Sequence, residues 1–221
     1  MAYRNRLDLS WVSTVGLVST VVAICAIQMA LPNSVTIGPT DFVPFVELAG
    51  IPIVIGLGFL APSSAHVLRA VMNFFLGLIV LATVMNALLL LYSLLQGSSE
   101  SGVVLLFAGF GVLTVNVLSF GLTYWWIDGG GPVARQTGTV TTPDFLFPQQ
   151  GMPGQEKWEP SLMDYLFTAY TNIIAFSPTD TMPLSKRVKV LFTVQSSTAV
   201  LTIVVTLSRA INLIPGGTPT A

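Results

Sequence analysis

Long runs without a charged residue alternate with short polar segments along this chain. No Asp, Glu, Lys or Arg occurs in the stretches 9–40, 48–68, 70–99, 101–127 and 190–208. A helix needs about 20 apolar residues to cross the hydrocarbon core of a bilayer. An unpaired backbone amide is costly in lipid, so each run should be helical. The pattern predicts five transmembrane helices, at 11–31, 42–60, 67–95, 103–127 and 188–213.

The segment 128–161, between the last two predicted spans, has a different character. It is rich in Gly, Pro, Gln and Thr and opens with three consecutive glycines. We interpret it as an aqueous loop that is too long to be a simple connector. Its aromatic patch, Phe145-Leu146-Phe147, is expected to pack onto the membrane helices.

The next segment, 162–176, is apolar but short. Its charge-free part, 165–179, would rise only about 22 Å as a helix, which is too little to cross. We therefore expect a re-entrant or interfacial helix. The predicted fold class is all-α: a polytopic integral membrane helical bundle of about five transmembrane helices plus one short re-entrant or interfacial helix. It divides into a four-span membrane region (1–127), the loop (128–161) and a C-terminal region (162–221).

The composition supports a membrane location. Charged residues make up 9% of the chain, whereas soluble domains carry about 25%. Nine basic and ten acidic residues leave no basic excess for nucleic acid. One histidine and one cysteine exclude a multi-histidine or thiolate metal cage. We find no enzyme or phosphate-loop motif, and we expect no cofactor. The expected surroundings of the chain are the lipid bilayer.

The basic residues predict the orientation. Lys and Arg near span ends prefer the cytoplasm. With five spans and one re-entrant helix, one side receives Arg4, Arg6, Arg69, Arg135, Lys157, Lys186, Arg187 and Lys189. We therefore expect a multi-pass protein of the plasma (inner) membrane with a cytoplasmic N-terminus. Trp11, Tyr124, Trp125 and Trp126 lie near that side and are expected to anchor the helices in the interface.

The last quarter of the chain resembles the pore-helix, loop and inner-helix module of tetrameric potassium channels, in a degenerate form. The resemblance rests on Asp164-Tyr165 opening a short helix, Thr171 near its end, Asp180 in the loop, Pro183 before a basic start, and a final apolar helix carrying Arg209. It implies a channel-like pore module, in which the pore-loop candidates are Thr171, Asn172, Ser177, Thr179 and Asp180.

The potassium-selective filter itself is absent. Such a filter needs glycines for its backbone conformation, and the stretch 172–178 contains none. Channel pore loops also enter from outside, whereas the basic residues place this loop inside. A structural interpretation is also open, in which Ser177-Pro178-Thr179-Asp180 forms the N-terminus of a helical turn and the short helix only packs under the bundle.

Polar residues inside the predicted spans form a second set of candidates. They are Glu47, Asn73, Asn86, Asn116 and Gln195. Ionisable groups in a span mark functional sites by default, so Glu47 suggests a proton or cation role, although an interfacial position near the span end would also explain it. The amides are typical of hydrogen bonds between helices.

These observations favour a non-enzymatic membrane protein built on a degenerate channel-like pore module, weakly selective or nonconducting, that assembles as a homo-oligomer. One alternative is an accessory or scaffolding subunit that binds a partner membrane protein through the loop. Another is a small-molecule or proton-coupled carrier that uses Glu47.

Overall fold

The computed structural model describes residues 11–33, 42–60, 65–96, 101–136, 138–139, 142–156, 158–175 and 180–213. Helices dominate this part of the chain, in agreement with the predicted all-α class. The elements are α1 (Trp11–Met29), α2 (Phe42–Leu60), α3 (Ala65–Leu95), α4 (Gly102–Ile127), α5 (Pro132–Gln136), β1 (Phe145–Leu146), α6 (Leu162–Ile174), β2 (Met182–Pro183) and α7 (Lys186–Leu213), with short 3₁₀ turns at Asp128–Gly130 and Pro148–Gly151.

Three helices are long and apolar enough to cross a bilayer, which is fewer than the five predicted. Within the described residues these segments are Arg69–Leu95, Gly102–Gly130 and Lys186–Ser208. The helices α1 and α2 contribute shorter apolar segments, Thr14–Met29 and Phe42–Pro52. Three of the five predicted spans therefore meet the length criterion within the described residues, and all five predicted segments are helical.

Helix α4 lies at the centre of the bundle. It packs against α1, α3, α6 and α7, and its C-terminal half is buried on nearly every side. Tyr124, Trp125 and Trp126 are all less than 10% exposed. The interpretation of these rings as interfacial anchors was therefore wrong, because neighbouring elements cover the end of α4. The side chain of Trp11 lies outside the described part.

The segment after α4 folds back onto the end of the bundle. Phe145 and Phe147 are buried, as predicted, while Leu146 between them is 43% exposed because successive residues of a strand point to opposite sides. The two-residue strand β1 pairs antiparallel with β2, so that Phe145 faces Pro183. The loop is thus an ordered cap on the helices.

Helix α6 is short and has one buried and one exposed face. Its N-terminus is capped reciprocally by Ser161 and Asp164, and its 13 residues rise about 20 Å. One side packs against α4 and α7 through its buried residues. The other side presents a stripe of exposed apolar side chains: Met163, Phe167, Tyr170 and Ile174.

Helices α6 and α7 enter the bundle from the same side and run in the same direction. We call this side the loop face; it is where α4 ends at Ile127 and α7 begins at Lys186. Asn172, near the end of α6, bonds to Gln195, which lies about 14 Å along α7. The chain then returns toward the loop face, where Thr168 donates a hydrogen bond to Thr181 at 3.1 Å.

Two glycines provide a test of this packing. A Cβ at Gly121 would lie 3.0 Å from the Leu166 Cα, where backbone cannot move aside, whereas a Cβ at Gly77 meets nothing within 4 Å. Alanine is intrinsically favoured over glycine in a helix by about 1 kcal/mol. We expect Gly121→Ala to lower the free energy of unfolding by about 1–3 kcal/mol and Gly77→Ala to leave it unchanged or raise it. Thermal unfolding in detergent, followed by circular dichroism, measures both; equal effects would contradict the close approach of α4 and α6.

Candidate functional site

Two buried aspartates bind each other's backbone at the end of α4. Asp128 Oδ1 accepts hydrogen bonds from the backbone N–H of Asp144 at 2.7 Å and of Phe145 at 3.2 Å. Asp144 Oδ2 in turn accepts from the N–H of Gly129 at 3.1 Å. Each carboxylate thus satisfies backbone donors of the other segment. We call this arrangement, together with Tyr165, Arg135 and Arg187 described below, the aspartate clamp.

The glycine run makes the clamp possible. Gly129, Gly130 and Gly131 all have positive φ angles, of 58°, 90° and 98°. Side chains other than glycine rarely adopt such angles. The chain therefore turns sharply after Asp128 and leaves its carboxylate facing the returning loop.

Arg187, in the first turn of α7, holds the second aspartate. Its Nε donates to Asp144 Oδ1 at 2.8 Å, and its Nη2 donates both to Asp144 Oδ2 and, at 3.0 Å, to the carbonyl of Ile127. Burial opposes ionisation of Asp144, but the hydrogen bonds from Arg187, Ser185 and Gly129 outweigh it. They hold the pKa of this carboxyl below its usual value.

Tyr165 and Arg135 complete the clamp around Asp128. The Tyr165 hydroxyl, from α6, donates to Asp128 Oδ2 at 2.5 Å. Arg135, from α5, donates to the carbonyls of Asp128 at 2.6 Å and Trp125 at 2.9 Å, and so satisfies carbonyls that the helix end leaves free. Its guanidinium lies 5.2 Å from the centre of the Tyr165 ring.

Aromatic rings fill the space beneath the clamp. Phe145 lies between Tyr124, Tyr165 and Phe192, with ring centres 5.4, 5.6 and 5.9 Å away. Phe147 contacts Tyr165 in an edge-on arrangement at 5.2 Å. Such geometry adds to the energy of burial, so α4, α6, α7 and the loop form one unit at this face.

A second polar group lies deeper, between α4, α6 and α7. Gln195 Oε1 accepts from the Tyr124 hydroxyl and from Asn172 Nδ2, both at 2.8 Å. Gln195 Nε2 donates to the carbonyl of Ala169 at 3.1 Å, and Ser196 donates to Asn172 Oδ1 at 3.0 Å. These bonds fix the inner end of α6 against α7.

The predicted pore-loop residues fall in different surroundings. Thr171 and Asn172 are buried; Thr171 donates to the carbonyl of Thr168 at 3.1 Å, and Asn172 belongs to the Gln195 group. Asp180 is exposed. Ser177 and Thr179 lie outside the described residues. The described members therefore do not come together in one site.

The remaining intramembrane amides divide between surface and core. Asn73 is exposed and accepts from Trp126 Nε1 at 3.1 Å. Asn86 and Asn116 are buried, and neither side-chain atom of Asn116, nor Asn86 Oδ1, has a partner within the described residues. Thr83 of α3 donates to Ser119 of α4 at 2.8 Å. Because these helices are antiparallel, Asn86, one turn after Thr83, and Asn116, one turn before Ser119, lie on the same side of this bond. The register thus places the two amides opposite each other.

Glu47 is buried between α1 and α2. It is 3% exposed, so neighbouring parts of the chain enclose its carboxylate. Gln28 Nε2 donates to Oε1 at 3.3 Å, and the Cys25 thiol donates to Oε2 at 3.5 Å. No basic partner of Glu47 occurs among the described residues.

No group of three or more His, Cys, Asp or Glu residues in the described ranges could hold a metal ion. The clamp itself works as a structural joint, since its carboxylates are occupied by donors of the chain. Sequence reasoning missed Asp128 and Asp144. For Asp128 the available signal was an acid at the predicted end of a span, directly before three glycines; Asp144 lies in the middle of the predicted loop, where no such signal occurs.

Comparisons of this chain with protein-family models, with curated proteins and with solved structures find no match.

Two tyrosines of α6 test the clamp. Tyr165→Phe removes the hydroxyl that donates to the buried Asp128, and the loss of a bond to a buried carboxylate should lower the free energy of unfolding by about 1–3 kcal/mol. Tyr170 is half exposed, so Tyr170→Phe is the matched control and should change little. Chemical unfolding in detergent compares them; a wild-type stability for Tyr165→Phe would argue against a stabilising clamp.

The pH dependence of stability tests Asp144. Because its folded pKa lies below the unfolded value, near 3.8, its contribution is complete above that value and is lost as the pH falls through the folded pKa. We expect Asp144→Asn to lose about 1–2 kcal/mol at neutral pH, a modest figure because Arg187 is half exposed. The difference from wild type should shrink below about pH 4. Unfolding midpoints across pH measure this, with the exposed Glu159→Gln as control.

Proposed function

We propose that this chain is the subunit of a homo-oligomeric, non-enzymatic membrane channel with weak selectivity among cations. In this proposal α4 is the outer helix, α6 the re-entrant helix and α7 the inner helix of a pore module. In this oligomer the exposed Asp180, which precedes β2, lies near a shared axis. The resemblance in the sequence and the arrangement of these three helices support the same reading.

The path of the chain from α6 to α7 is the observation that carries the proposal. Helix α6 begins beside the end of α4, descends along α7 to the level of Gln195, and the chain is back beside Thr168 by Thr181. A helix that descends, a segment that returns and a second helix that descends are the elements of a pore loop. At about 20 Å, α6 is too short to cross the hydrocarbon.

The surroundings of α6 support its insertion into the membrane. Its exposed stripe contains Met163, Phe167 and Ile174. Exposing these apolar side chains to water would be unfavourable, whereas contact with lipid or with a second subunit would bury them. With α1 and α2 also embedded, the bundle has five membrane helices. Because Lys and Arg prefer the cytoplasmic side, the loop face and the N-terminus are cytoplasmic in this proposal, and the membrane is the plasma membrane.

The orientation of the α6 dipole favours binding of cations over anions in the proposed pore. The C-terminal end of a helix carries a partial negative charge, and that end of α6 lies in the interior of the bundle near Asn172. Asp180 adds a carboxylate on the returning segment. A filter of backbone carbonyls at fixed spacing requires glycine, which is absent from 172–178, so strong potassium selectivity is not expected.

Flux through reconstituted liposomes tests the proposal. We expect wild-type protein to release potassium and sodium at similar rates, and Asp180→Asn to slow both by about tenfold, because a charge at a pore mouth concentrates the ion. Glu159→Gln, an exposed carboxylate of the loop, is the control and should keep wild-type flux. Flux abolished by Glu47→Gln but unaffected by Asp180→Asn would instead indicate a carrier.

The oligomeric state in mild detergent is an independent measurement. A shared pore requires an oligomer, so light scattering should give a multiple of the 23.6 kDa chain mass. A monomer, or the absence of flux in wild-type vesicles, would contradict the channel. Absence of flux together with a co-purifying membrane protein would favour the accessory role.

A further inference from the structure

A cleft of about 340 Å³ opens beside the aspartate clamp, on the side of α3. Its lining includes Arg69 and Asn73 of α3, Trp126 of α4, Gly129 and Gly130 of the glycine turn, and Arg187 of α7. The volume is at the small end of ligand pockets, which hold molecules from about 300 Å³ upward. The cleft is therefore suited to a single small headgroup or ion.

Two arginines and an amide provide hydrogen-bond donors in the lining, which also contains the hydroxyls of Thr139 and Thr142. Arg187 uses Nε and Nη2 within the clamp, and its Nη1 has no partner among the described residues, so that edge of the guanidinium remains available. Trp126 donates to Asn73 Oδ1, which leaves the Nδ2 group of Asn73 as the free end of that amide. Arg69 is exposed and makes no ion pair within the part of the chain that the structure describes.

The charge around the cleft is positive. Arg69 and Arg187 line the cleft, and Arg135 belongs to the adjacent clamp, so three arginines accompany the two aspartates in this described part of the chain. Arg187 neutralises Asp144, and Arg135 lies beside Asp128. Arg69 is left as the uncompensated charge. Both carboxylates are buried, both accept hydrogen bonds from donors of the chain, and neither lines the cleft.

We propose that this cleft binds a phosphate group, held between Arg69 and Arg187 with Asn73 as a further donor. Planar guanidinium groups match the paired oxygens of phosphate, and bonds between ionised partners are stronger than neutral ones. The indole of Trp126 forms a wall at the level where α3 and α4 leave the predicted membrane. Two sources have this chemistry: the headgroup of an anionic phospholipid and a free phosphate in the adjacent aqueous phase.

Binding to the purified full-length protein in detergent separates the two sources. Inorganic phosphate is titrated at constant ionic strength, with the thermal unfolding midpoint as readout. Phosphatidylglycerol is added to the micelles in a parallel series, with retained lipid counted by native mass spectrometry. We expect wild-type protein to bind at least one of these probes. Phosphate alone indicates a soluble ligand, and phosphatidylglycerol alone indicates a lipid headgroup; either supports a phosphate site.

Arg69→Gln is the decisive variant, because Arg69 is exposed and the fold does not depend on it in the described structure. It should weaken binding about tenfold. Arg69→Lys keeps the charge but not the planar donor pair and should fall between Arg69→Gln and wild type. Lys189→Gln removes an exposed charge from the first turns of α7 outside the cleft and should bind like wild type. Binding of neither probe, or equal weakening by Arg69→Gln and Lys189→Gln, would overturn the proposal.

Discussion

The reciprocal capping of two segments by Asp128 and Asp144 is the constraint on which the rest of this face depends. A helix that ends in the interior of a protein leaves carbonyls without partners, and a loop folded onto it brings its own unpaired amides. The two carboxylates and Arg135 satisfy both sets at once. Through Tyr165 and Arg187 the same carboxylates also reach α6 and α7. One joint therefore sets the relative positions of three helices and the loop.

The deeper polar group continues this arrangement into the bundle. A short helix has few contacts with which to hold its place, and α6 uses Asn172 to bond the side chain of Gln195 on α7. Inside a bundle such bonds substitute for water and specify one register between helices. The clamp fixes the outer end of α6 and this group fixes its inner end. The short helix is therefore held at both of its ends.

The sequence predicted the helices from the lengths of its charge-free runs, and it predicted that the segment 162–176 is too short to cross, because the length of an apolar run can be read directly from the order of residues. The helix α6 in this segment has 13 residues. It did not predict the burial of Tyr124 and Trp126, since a ring at a span end looks the same whether lipid or a folded loop covers it. Nor could it pair Asp128 with Asp144. The carboxylate of each aspartate accepts hydrogen bonds from backbone N–H groups of the other segment. Nearly every residue has such a group, so the side chains in the sequence do not indicate which two segments come together.

The clamp also restricts the order in which the protein can be assembled. Arg187 bonds to a carbonyl sixty positions earlier in the chain, at Ile127. During synthesis, the end of α4 and the whole loop leave the ribosome well before the residue that joins them to α7. The bond from Asn172 of α6 to Gln195 can form only after α7 has been made, so the final packing of the inner end of α6 is a late event in folding.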